Sequence, residues 1–364
     1  MRIDRRALLG GLFGLAALPR FGHAEADPLG EAVVGAVRDG VGAFRVAGLD
    51  AELHETLGLT APLRLHAVVP NPRGGVVAVA RRPGDLAFVL PPGADAPAIV
   101  LHAADGRRFA GHGVFLDGAK TFAIAEIEVV SGEGRLAFLD VDAGWVRRSE
   151  CATAGIGPHE VVSAKSLVVA NGAREPAPEP GIAALGDSEA ASSVSFLDPV
   201  TGALRAQFEA PSGFEGLSLR HMAVAGDGTV LVAAQEQDFG IADRPLLFSA
   251  TERGLTPIDG DEETWRALGG YIGQVAVDAS GRIAAVSSPR GGVVIAFYLA
   301  RRRTIGRVEL PDVCGLAGDG RAGGFLATTG LGTVARLRAV DDRLALLDSR
   351  ATPLAWDNHL FARR

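Results

Sequence analysis

The chain has 364 residues, with 36 Lys and Arg against 43 Asp and Glu, a formal net charge of −7. An acidic chain without a basic run argues against nucleic acid as a partner. The 48 Gly, 20 Pro and 6% aromatic residues beside 48% apolar residues suit many short buried strands joined by tight turns, not a helix bundle or a disordered chain.

At the N-terminus, Arg5-Arg6 precede an apolar stretch from Ala7 to Pro19, and Ala24-Glu25-Ala26 has the small-x-small form of a cleavage site. This reads as an export signal of the twin-arginine type over residues 1–26; the apolar run is too short to span a bilayer. Removing it takes away four Arg and two acidic residues and leaves residues 27–364 at net −9. No second apolar segment reaches spanning length, so the expected mature protein is soluble and periplasmic, with no membrane insertion.

Residues 32–37, 42–46 and 52–56 then read as three strands without an inner partner. Beyond them a pattern recurs seven times, a polar residue ahead of an apolar run: His66-Ala-Val-Val, His112-Gly-Val-Phe, His159-Glu-Val-Val, His221-Met-Ala-Val, Gln274-Val-Ala-Val, Cys314-Gly-Leu-Ala and His359-Leu-Phe-Ala. The intervals are 46, 47, 62, 53, 40 and 45 residues, the period of β-propeller blades, each a four-stranded sheet. In the second blade the run after His112 is followed by the turn signal Asp117-Gly118, then apolar runs at 121–125 and 135–141 and an outer strand at 145–149. The other blades repeat this layout.

Two insertions interrupt it. Residues 173–191 are rich in Pro, Glu, Ala and Gly and read as a surface loop. Residues 259–271 hold Asp261-Glu-Glu-Thr-Trp-Arg-Ala-Leu, acidic first, apolar after and ended by Gly269-Gly270, which predicts a short helix between blades four and five. The final run, 356–362, is an inner strand with nothing after it. Paired with the three N-terminal strands it makes a seventh blade and closes the ring, which removes exposed sheet edges. The expected fold is therefore all-β, one seven-bladed propeller domain over residues 27–364.

If the pattern opens each innermost strand, its seven polar residues share one level of a central channel. Five are His66, His112, His159, His221 and His359, out of eight histidines in the chain. Imidazole is a common ligand for first-row metals, so these five, with Cys314 as a soft ligand if ionised, are candidate ligands for iron, copper or zinc. The competing reading is structural: inner-strand histidines that brace neighbouring blades. Arg108, Gln274, Arg220, Glu160, Asn171 and Arg290 lie near the same level and are candidate channel or ligand-binding residues. Strand alternation turns Glu160 and Arg220 away from the channel toward a blade interface, where they would pair. Cys151 and Cys314 fall on an outer and an inner strand three blades apart, beyond disulfide reach.

No Gly-x-Ser-x-Gly elbow, His-Glu-x-x-His helix, phosphate loop, dinucleotide fingerprint or Cys-x-x-Cys-His haem motif occurs. Three readings stand: a non-enzymatic metal-linked accessory protein, a metal-dependent periplasmic oxidoreductase or hydrolase, and an inert interaction platform.

The segments 106–115 (GRRFAGHGVF), 155–160 (GIGPHE), 168–172 (VVANG), 219–224 (LRHMAV) and 287–292 (SSPRGG) resemble the exported bacterial family known as domain of unknown function 1513, over nearly the whole mature chain. The resemblance implies a periplasmic, propeller-like protein encoded beside imelysin-type iron-uptake proteins and di-haem peroxidase-like proteins, and it implies no reaction. This chain departs from the family after Asn171-Gly172, where a polar loop gives way to an Ala- and Pro-rich one, and after Glu126, where Ile127-Glu128-Val129-Val130 replaces polar residues.

Overall fold

The structure is a computed structural model, and it describes residues 31–362 except 51, 83, 92–98, 174–189 and 238–242. The export segment and most of the loop insertion lie outside the described residues. Seven antiparallel four-stranded sheets make up the described chain, each with its strands in sequence order except one. The exception is the seventh, in which Ala355–Ala362 pairs with Glu31–Arg38, followed by Phe44–Asp50 and Glu55–Ala61. The chain is a seven-bladed β-propeller closed by its terminal strands.

The burial pattern explains the strand sequences. Second strands such as Val76–Ala80, Leu167–Asn171 and Val230–Glu236 are buried at every residue, because both faces meet a neighbouring blade. They read as continuous apolar runs of small and β-branched residues. Outer strands such as Leu204–Glu209 alternate with solvent and carry charge.

The closing strand is held in three ways. Val33 pairs with Ala362 and Val37 with Trp356 across the seventh blade. Asp357 bridges to the first blade, accepting from Arg64 Nε at 2.7 Å and Arg81 at 3.3 Å. Trp356 and Leu360 are buried in the apolar layer against blade six.

The predicted helix is present as Glu262–Ala267. The Asp261 carboxylate caps it by accepting from the Thr264 backbone N–H at 2.7 Å. Trp265 is buried, stacks on Phe297 at 5.7 Å, and donates its indole N–H to the Gly260 carbonyl. Cys151 and Cys314 are free thiols, in keeping with their blade positions. Among the described residues no helix is long and apolar enough to cross a membrane.

Candidate metal centre at the propeller axis

Six of the seven inner strands are irregular where the polar pattern falls; that of Gln274 pairs without a shift. Pairing skips or shifts at His66, between Leu65 and Ala67. It shifts again between Phe109 and Gly113, around His112, and between Pro158 and Glu160, around His159. The same occurs at Arg220, just before His221, at Cys314, and across 357–359 in the closing strand. A bulge leaves a residue unpaired and re-aims its side chain. A ring of bulges thus turns side chains from separate blades toward the axis.

The five histidines converge there. All are between 1% and 6% exposed. Ring centroids of His66, His112, His159, His221 and His359 lie 4.5 to 5.7 Å apart for the pairs in contact. Gly111 makes the approach possible: its φ is +103°, and a Cβ there would stand 2.4 Å from His66 Cδ2. Only glycine takes that conformation and leaves the ring its space.

Two triads place one ring nitrogen each within 4.8 Å of the others: His66, His112 and His359, and His112, His159 and His221. Their surroundings differ. His66 Nε2 and His112 Nε2 are 3.1 Å apart, close to the roughly 3.3 Å that two nitrogens on one tetrahedral metal would keep with bonds of about 2.0–2.1 Å. His112 Nδ1 faces Glu160 Oε1 at 3.7 Å, a carboxylate near a ligand's second nitrogen but beyond hydrogen-bond distance. His66 Nδ1 and His359 Nε2 are buried without hydrogen-bond partners.

In the second triad, Arg82 donates to His159 Nδ1 at 3.0 Å. A guanidinium only donates, so Nδ1 accepts and neutral His159 carries its hydrogen on Nε2. That nitrogen is not available to a metal while Arg82 stays in place. The first triad is the better donor set.

Burial is the main reason all five imidazoles titrate below their ordinary value. For His66 the next contributors are His359 and His112; for His159 they are Arg82 and His221. His112 and His359 are also held well below it, and His221 is lowered to about 3 by burial, Arg220 and Arg82. The rings are neutral near pH 7, the state in which imidazole ligates metals. Glu160 moves the other way, raised by burial and opposed by His112 and the Met222 N–H.

The other sequence candidates take different places. Gln274 is a brace: its Nε2 donates to the Leu360 carbonyl at 2.8 Å, and its Oε1 accepts from Leu316 N at 2.7 Å and Leu360 N at 2.9 Å. It thus ties blades five, six and seven. Asn171 is wholly buried, accepting from Thr153 Oγ1 and donating to Ser195 Oγ. Cys314 belongs to neither triad, and burial pushes its thiol up to about 12, which leaves it protonated and without the thiolate a soft ligand needs. Arg108 pairs with Ile127 in the strand ladder ahead of the bulge. Arg290 lies over the Tyr271 ring at 4.6 Å.

The expected Arg220–Glu160 pair does not form. Arg220 Nε donates to Ser218 Oγ at 3.0 Å, while Glu160 accepts from Met222 N at 2.9 Å and faces His112 and His221. Glu160 does reach the interface of blades three and four, at Met222 N, but the bulge at Arg220 turns its guanidinium to Ser218 instead. Arg82 escaped sequence reasoning because it sits after the second strand of its blade and outside the repeating pattern; the Arg81-Arg82 doublet at a strand end was the available signal.

The family model for a protein of unknown function, DUF1513, matches residues 59–363. The chain belongs to this family. That span holds all five axial histidines, so the DUF1513 match covers the whole site. No curated protein matches the chain. Among solved structures, a chain of the mitotic checkpoint complex is similar with a TM-score of 0.57 at 8% identity, covering 79% of this chain and 80% of that one. Kuenenia stuttgartiensis hydrazine synthase gives 0.56 at 13% identity, covering 91% and 100%. At these identities the likeness is one of fold alone.

Proposed function

We propose that this propeller is a metal-binding accessory protein, with His66, His112 and His359 holding one first-row transition metal ion at the axis. The observation that carries the reading is the convergence of buried, neutral imidazoles from three blades with ring nitrogens left unpartnered. Bracing alone does not account for it, since Gln274 braces the same ring with every polar atom satisfied. Three nitrogen ligands and no thiolate suit iron(II), copper(II) or zinc. Bound there, the metal would supply a Lewis-acid or redox centre; the chain's own part is to orient the imidazoles, to keep the Glu160 carboxylate beside His112 and to exclude water. The export signal read from the sequence supports a periplasmic place for this function, and the family resemblance makes an imelysin-type iron-uptake protein the partner to test.

The experiment is elemental analysis of the purified protein before and after dialysis against each metal. It should find one equivalent in the wild type and less than a tenth of that in His112→Ala and His359→Ala. A folded wild type that retains no metal, or variants that retain the full amount, would remove the proposal.

A further inference from the structure

On the side of the cluster formed by His159 and His221, the fold buries a guanidinium that no carboxylate among the described residues pairs with. Arg220 is 6% exposed. Its Nε is satisfied by Ser218, but one terminal nitrogen is buried and makes no hydrogen bond. Among the described residues no carboxylate forms a salt bridge with it, and the Arg290 guanidinium opposes its charge. A buried guanidinium is costly unless paired.

A second guanidinium flanks the same place. Arg82 reaches His159 Nδ1, and both Arg82 and Arg220 act on His159 and on His221, whose rings lie 4.6 Å apart. The hydrogen that Arg82 forces onto His159 Nε2 is itself buried without an acceptor. Two adjacent blades therefore present donors, Arg220 and His159 Nε2, with no acceptor among the described residues. Glu160 does not fill the role: its oxygens are directed to Met222 N, His112 and His221.

We propose that this face of the axis binds a small oxyanion, a phosphate or carboxylate group, accepting from the terminal nitrogen of Arg220 and from His159 Nε2 beside Arg82. Arginine's planar fork suits two oxygens that share one charge. The site uses donors that the metal triad leaves aside, and it needs no metal.

The test is calorimetric titration of chelator-treated full-length protein with inorganic phosphate and, separately, succinate, at constant ionic strength in chloride. At least one of the two should bind saturably with one site, and the arm that binds identifies the oxyanion class. Arg220→Gln should weaken binding at least tenfold, and Arg220→Lys, which keeps the charge without the fork, should fall between. Arg266→Gln, on the exposed face of the short helix, should bind as wild type. Should Arg220→Gln not fold, Arg82→Gln takes its place with the same expected direction. No binding of either anion above the chloride control, or wild-type affinity in a folded Arg220→Gln, overturns the proposal. Because the protein is metal-free throughout, either result leaves the metal proposal to be judged by its own experiment.

Discussion

Acidification should unfold this propeller through its axial histidines, and His221 permits a worked magnitude. In the unfolded chain its imidazole takes up a proton near 6.5; in the folded protein burial, Arg220 and Arg82 hold it to about 3. The folded pKa is depressed for a base, so between these values only the unfolded chain is protonated there. Stability from this group is fully present above 6.5 and is lost as the pH falls toward 3. At pH 5.0 the loss is about 2 kcal/mol for His221 alone. His66, His112, His159 and His359 shift in the same direction, while Glu160, raised by burial, opposes them by gaining a proton in the folded state. The assay is urea unfolding of the metal-free protein at pH 7.5 and 5.0, wild type beside His221→Gln. The variant should lose about 2 kcal/mol less than the wild type over that interval. Equal losses would refute the argument that this ring is buried and uncharged.

Deleting residues 357–364 should lower stability by at least about 4 kcal/mol in a urea melt, since it removes buried Leu360 and His359 and the Asp357 bridges to blade one. Gln274→Leu should cost roughly 3 kcal/mol or more, because Leu316 N and both backbone groups of Leu360 lose their partner together. Gly111→Ala should weaken metal retention more than tenfold in the same elemental analysis while leaving a folded circular dichroism spectrum; the added Cβ displaces the His66 ring. Thiol labelling of native protein at pH 7.5 should be slow for both cysteines, as burial raises Cys151 to about 11 and Cys314 to about 12, and reductant should not move the melting temperature.

The blades were legible because each buries its strands on both faces, which forces apolar runs, and because the runs recur with a marked period. The terminal closure followed from counting unpartnered strands at the two ends, and the capped helix from Asp261 and the apolar residues after it. The shared height of the histidines was legible for the same reason as the blades. What stayed hidden is local backbone geometry. A bulge changes which face a residue takes without any fixed change of residue type. Alternation puts Glu160 at the interface of blades three and four, where it meets Met222 N, but carries no sign that Arg220, in its bulge, turns to Ser218 and leaves the pair unmade. Gln274 and Cys314 occupy the same register as the histidines, yet hydrogen bonding makes one a brace and burial keeps the other protonated; register carries neither fact. Arg82 lies outside the repeat altogether, and only three-dimensional contact connects it to His159, 77 residues away.

His359 sits on the strand that is last in chain order, and its nearest ring neighbours, His221, His66 and His112, come from blades far earlier. A nascent polypeptide emerging from the ribosome can complete six blades and still lack this donor. The first triad therefore comes into being only when the circle shuts, so a cargo held by it would certify that the ring has closed.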